Sequence, residues 1–161
     1  MEVSRIIFLD IDGVLNTGRG KLYWRKQERK KKYTFNADFC PDAIANLNQI
    51  TRESGAKIVI SSYWRSFFSL EALQVIFKEY GIEGEVISTL SMGEGFAIRP
   101  DRGTLIKEWL KDNFEPDQFV IIDDNDSGIS RLFPKEFIKV NEEEGLANLS
   151  RFSDSLSLLV N

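Results

Sequence analysis

Short apolar runs punctuate the chain. Ile6-Ile7-Phe8-Leu9, Lys57-Ile58-Val59-Ile60 and Phe119-Val120-Ile121-Ile122 are the clearest. Near-continuous apolar runs of this length suit strands buried on both faces. Glu85-Val86-Ile87-Ser88 and Phe137-Ile138-Lys139-Val140 are weaker strand candidates. Between the runs, apolar residues recur at helical spacing. Ala43, Ile44, Leu47 and Ile50 mark a helix over Pro41 to Glu53, with the proline suited to its first turn. Leu70, Leu73, Ile76, Phe77 and Tyr80 mark another, which Gly81 can stop. Leu105, Ile106, Trp109 and Leu110 place one over Gly103 to Asn113, and Leu146 to Leu159 is a serine-diluted last candidate.

Strands alternating with helices predict parallel βαβ units, hence a doubly wound α/β sheet of three layers, α/β/α, in one domain over residues 1–161. Ligands of such sheets bind beyond the carboxyl ends of the central strands, where the strand order reverses. The three clearest strands end there in polar residues: Asp10, Ser61-Ser62 and Asp123-Asp124. Residues 17–40 break the alternation and read as an irregular basic loop inserted in the first crossover.

Composition narrows the chemistry. The chain has no histidine, which excludes His-based triads, His general bases and His zinc ligands. Catalysis must rest on carboxylates, hydroxyls, Lys, Arg or a metal. Cys40 is the only cysteine, so no internal disulfide forms, and a reducing, cytoplasmic setting is expected. The N-terminal residues lack the apolar stretch of a signal peptide, and no apolar run reaches membrane-spanning length. A monomer is the expected state.

Asp10-Ile11-Asp12-Gly13 follows the first strand directly. Two carboxylates two residues apart, leaving a strand, can face one crevice. Asp123-Asp124 brings further negative charge there. Such a cluster repels itself unless a cation joins it, and magnesium takes carboxylate, water and phosphate oxygens. A phosphate ester then has what it needs: a carboxylate nucleophile in Asp10 and a second carboxyl, Asp12, to protonate the leaving alcohol and activate water. Backbone N–H groups around Gly13 and a hydroxyl after the second strand can hold phosphoryl oxygens. A nearby Lys or Arg would neutralise transition-state charge. Asp-x-Asp-Gly alone is also common turn chemistry; its place at a strand end favours the catalytic reading.

These residues resemble the motifs of haloacid dehalogenase (HAD) phosphatases. Phe8-Leu9-Asp10-Ile11-Asp12-Gly13-Val14-Leu15-Asn16 is similar to the first motif, Val59-Ile60-Ser61-Ser62-Tyr63-Trp64-Arg65 to the second, and Val120-Ile121-Ile122-Asp123-Asp124-Asn125-Asp126 to the acidic fourth. The Ser-Ser-x-Trp-Arg string, Arg102-Gly103 leading to Ile106 and Trp109-Leu110, and Gly145-Leu146 resemble the HAD domain of Swiss Army Knife RNA-repair proteins. The resemblance implies a Rossmann-like HAD fold with Asp10 as nucleophile and metal ligand. It implies that Asp12 is the acid/base and lends its carbonyl to the metal. The presence of Asp12 favours phosphate chemistry over dehalogenation. Asp124 matches the metal-binding Asp, with Asp123 or Asp126 assisting. Ser62, or else Ser61, supplies the phosphate-binding hydroxyl. The family's usual Lys of the third motif has no obvious match; Arg102 fits by position, and Lys107 is second choice.

The stretch from residue 19 to 32 holds eight basic side chains and one acid, leaving 13 basic and 24 acidic residues elsewhere. It is too short for the folded cap domain that covers many sites of this superfamily, so an open site and a bulky substrate are expected. Basic residues interleaved with Tyr23, Trp24, Tyr33 and Phe35 suggest a guide for a phosphorylated RNA or DNA end, with Trp24, Arg25, Lys26 and Arg65 as contacts. Tyr63, Phe67 and Phe68 read as packing residues. Competing readings are a phosphatase of nucleotides or small metabolites, a phosphotransferase, and a non-catalytic nucleic-acid-binding module.

Overall fold

The computed structural model describes residues 2–160. Its five strands are β1 (Arg5–Leu9), β2 (Lys57–Ile60), β3 (Val86–Thr89), β4 (Gln118–Asp123) and β5 (Phe137–Lys139). All pair in parallel, in the order β3-β2-β1-β4-β5. The six helices are α1 (Gly18–Arg25), α2 (Pro41–Ser54), α3 (Leu70–Glu79), α4 (Arg102–Asp112), α5 (Ile129–Leu132) and α6 (Leu149–Val160). The strand order reverses between β1 and β4, which is where this architecture places its ligands.

The apolar runs form central strands because both sheet faces are covered. Ile7, Leu9, Ile58, Ile60, Val120 and Ile122 pack on one face, with residues of α2, α3 and α6. Ile6, Phe8, Val59 and Ile121 pack on the other, beneath Leu105, Ile106 and Trp109 of α4 and Ile129 of α5. Alternation of successive side chains across a strand produces this division. Phe8 lies opposite Val59 and Ile121 in register, and Leu9 opposite Ile60 and Ile122. The three strand ends therefore finish level, and the residues after them meet.

The helix boundaries follow local chemistry. Pro41 opens α2, and Gly55, at φ 70°, closes it in the left-handed region. Ser69 caps α3 by accepting from the Ala72 N–H. The last helix starts later than its pattern suggests, at Leu149, because Gly145–Ala147 forms a separate 3-10 turn. No helix among the described residues is long and apolar enough to cross a membrane.

The basic insertion departs from the irregular loop expected of it. It contains α1, capped by the Thr17 hydroxyl, which accepts from the Gly20 N–H at 3.0 Å. A side chain at Gly20 would collide with the Asp38 carbonyl, so the glycine lets α1 press against the chain entering α2. Beyond α1 the segment lies along α3. Trp24 and Tyr33 pack on Tyr80, and Arg29 donates to the Tyr80 hydroxyl at 3.0 Å. Tyr80 follows the last turn of α3. Arg29 and Lys31 of the basic segment are thereby engaged at the end of α3.

Candidate active site

Asp10 leaves β1 between two neighbours. Its N–H donates to the Ile122 carbonyl of β4 at 3.1 Å, and the Ser61 N–H donates to the Leu9 carbonyl at 3.0 Å. This bonding seats Asp10 beside Asp123 on one flank and Ser61 on the other. Asp10 is 5% exposed and Asp123 fully buried. One oxygen each from Asp10, Asp123 and Asp124 lies within 4.8 Å of the others.

Arg102 enters this cluster from the first residue of α4. Its Nη1 donates to Asp123 Oδ2 at 2.6 Å and lies 3.4 Å from Asp10 Oδ2. Two contacts seat the start of α4. Asp101 caps it by accepting from the Thr104 N–H at 2.8 Å. Gly103 sits against the Gly128 carbonyl, where any side chain would collide. The expected basic residue of the third motif is therefore brought to the carboxylates as an arginine. Lys107 is exposed further along α4 and forms no ion pair with them.

The cluster is short of positive charge. Burial, and then the neighbouring Asp123, push the Asp10 carboxyl up to about 8, with Arg102 opposing them. Burial is also the main cause that raises Asp124. Burial works against the Arg102 charge, but Asp10 and Asp123 outweigh it and hold its pKa above the ordinary value. Three carboxylates facing one guanidinium make a donor set of hard oxygens that fits a divalent cation. Gly13, at φ 82°, leaves room for this arrangement, since a side chain there would strike the Asp124 carboxylate. Asp126 is committed elsewhere: its carboxylate accepts from the Ser130 N–H and hydroxyl at the start of α5.

Asp12 stands outside the cluster, exposed, with its carboxylate held from two sides. The Asn16 amide donates to Oδ1 at 2.8 Å and the Trp64 indole N–H to Oδ2 at 3.2 Å. The Trp64 contact spans 52 residues. Nothing local in the sequence signals it.

The two serines differ. The Ser62 hydroxyl accepts from the Trp64 N–H at 3.2 Å and caps the turn Tyr63–Ser66. The Ser61 hydroxyl is buried and has no hydrogen-bond partner among the described residues. Arg65 anchors the same turn. Its Nη1 donates to the Ser61 and Ser62 carbonyls at 2.8 and 2.9 Å, and its Nε to the Ser91 carbonyl at 3.2 Å.

Besides a cleft of about 460 Å³ lined by Asp12, Gly13, Lys21 and Asp124, two more open beside these residues. One of about 160 Å³ is lined by Tyr63, Arg65, Arg99 and Arg102. The Arg99 guanidinium carbon lies 4.6 Å from the Tyr63 ring centre. Burial, Arg102 and Arg99 together lower the Arg65 pKa, a sign of crowded positive charge. The second, about 510 Å³, runs from Asp12 and Asn16 between Phe35, Trp64, Phe67 and Phe68. A larger hollow of about 750 Å³ lies between α3 and β3 and holds none of these groups.

The aromatic expectations need correction. Phe67 is 79% exposed and Tyr63 47% exposed, so neither is core; Phe68 does pack on the core. Trp24 is not an open stacking platform. Arg29 covers its ring at 4.2 Å, Tyr23, Tyr33 and Tyr80 abut it, and its indole N–H is spent on the Phe39 carbonyl. Arg25 and Lys26 are exposed at the end of α1.

A family model described as the HAD domain in Swiss Army Knife RNA repair proteins matches residues 6–150. No curated protein and no solved structure matches the chain.

Proposed function

The chain belongs to the HAD domains of Swiss Army Knife RNA-repair proteins, and from that premise we propose a magnesium-dependent phosphomonoester hydrolase acting on phosphorylated nucleic-acid ends. The observation that carries the reading is the gathering of Asp10, Asp123 and Asp124, with Arg102 paired to the two buried carboxylates. A purely structural site would not gather three carboxylates whose charges oppose one another at such cost.

Asp10, Asp124 and Asp123 would hold the ion, with the Asp12 carbonyl as the further ligand that the family pattern implies. Bound magnesium would offset repulsion between the carboxylate and the phosphate dianion. An Asp10 carboxylate oxygen attacks phosphorus, and the bond to the leaving oxygen breaks. Asp12 gives that oxygen its proton. Asp12 then takes a proton from the water that opens the aspartyl-phosphate, which returns Asp10 and releases phosphate. The Asn16 and Trp64 donors keep the Asp12 carboxylate aimed while it changes protonation state. Arg102 draws off charge from the phosphoryl oxygens. The unpartnered Ser61 hydroxyl suits a phosphoryl oxygen better than the Ser62 hydroxyl, which already caps a turn. The Gly13 N–H donates to the Asn16 carbonyl at 2.8 Å and is not free for phosphate.

The cleft of Arg65, Arg99 and Arg102 adjoins the carboxylates through Arg102 and favours a polyanion over a neutral metabolite. The test is phosphate release, with magnesium, from oligonucleotides phosphorylated at the 3′ or 5′ end, beside a mononucleotide and an aryl phosphate. Preferential release from one oligonucleotide end, lost in Asp10→Asn, is the expected result. Release from the small esters alone would move the reading to a nucleotide or metabolite phosphatase.

A further inference from the structure

The aromatic cleft beside Asp12 has no part in the chemistry so far, and its position gives it one. A general acid must lie within hydrogen-bond reach of the oxygen it protonates. Asp12 and Asn16 line the cleft of Phe35, Trp64, Phe67 and Phe68, so a group that leaves with that oxygen can enter it. We propose that this cleft holds the nucleobase of the leaving nucleoside, with Phe67 as its stacking surface. The proposal rests on the phosphatase reading and names the group that the reading leaves open.

Phe67 is 79% exposed and enters no ring–ring contact among the described residues, although Phe35, Trp64 and Phe68 contact one another nearby. Phe67 meets solvent beside these rings, and a flat π-face would replace that water. The cleft is not purely apolar. Asp12, Asn16, Asn36 and Asp38 also line it, and their side chains carry oxygen acceptors. An aromatic ring whose edge carries N–H donors answers both features, and a nucleobase is such a ring. A phosphotyrosine ring has no donor on its edge once its oxygen is esterified. The cleft's volume, about 510 Å³, accommodates a base and its ribose. Trp64 ties the wall to the chemistry, because its indole N–H holds the Asp12 carboxylate.

The experiment compares kcat/KM for adenosine 3′- and 5′-monophosphates, ribose 5-phosphate and phosphotyrosine, in the wild type, Phe67→Ala and Phe67→Tyr. Removing a stacking ring should lower the nucleotide-to-ribose-phosphate ratio roughly tenfold in Phe67→Ala. Phe67→Tyr should restore it. An unchanged ratio, or a wild-type preference for phosphotyrosine, overturns the proposal. Binding separates this failure from failure of the phosphatase reading. By calorimetry, the better nucleotide should bind Asp10→Asn protein roughly tenfold more tightly than it binds Asp10→Asn/Phe67→Ala. Equal binding, or none to Asp10→Asn, overturns the cleft assignment whatever the enzyme hydrolyses.

Discussion

Asp10→Asn should abolish catalysis and yet stabilise the metal-free protein at neutral pH. The folded protein raises Asp10 from 3.8 to about 8, through burial and the adjacent Asp123. The sign follows from linkage. A group with a raised folded-state pKa lets the unfolded chain give up its proton first. Stability is then full below about pH 4 and lost as pH rises toward about 8. At pH 7 the gap from 3.8 is a little over three pH units, and 1.36 kcal/mol per unit gives about 4 kcal/mol. Asparagine keeps the shape and carries no charge. For a domain of this size each kcal/mol moves Tm by about 2–4 °C, so a gain on the order of 10 °C is expected at pH 7 in EDTA. Thermal unfolding of wild type and Asp10→Asn between pH 5 and pH 8 is the assay. The wild type should lose Tm across that range and regain it with magnesium. The variant should lose less and respond weakly to the metal. Some slope will remain, because Asp124 is raised as well. Parallel Tm curves for the two proteins in EDTA would refute the electrostatic reasoning.

Arg102→Ala leaves Asp123 buried without its guanidinium partner, so unfolding in denaturant should show a loss of about 3 kcal/mol beside lost turnover. Arg102→Lys should recover much of the stability and part of kcat. Asp12→Asn should lower turnover of alkyl phosphates by about 10²–10⁴-fold, and that of aryl phosphates far less, since a good leaving group needs little protonation. Gly13→Ala forces a side chain into the Asp124 carboxylate at a positive φ. A magnesium titration of activity should be shifted to higher magnesium concentration, with circular dichroism recording whether the fold persists.

The sheet is legible in the sequence because its central strands are buried on both faces and appear as unbroken apolar runs. The Asp10 and Asp123-Asp124 pairs are legible because they end such runs. Arg102 can be placed only by its position before a helix, since the family's usual residue is absent. Helix α1 escapes the pattern: Gly18 and Gly20 dilute it, and Leu22 and Tyr23 are exposed rather than core-facing. The Trp64–Asp12 bond and the exposure of Phe67 are products of tertiary packing. A basic run does not reveal which charges are already spent, as on Arg29, paired with Asp38, or Lys31, donating to the Glu79 carbonyl.

The central claim is that Asp10 carries the phosphoryl group. Acid-quenching a reaction with magnesium and a phosphorylated oligonucleotide, followed by mass spectrometry of the peptides, tests it most directly. The account predicts a phosphoryl adduct on Asp10 that forms and decays within turnover, and none in Asp10→Asn. Steady phosphate release with Asp10 unmodified, or an adduct on another residue, would contradict it.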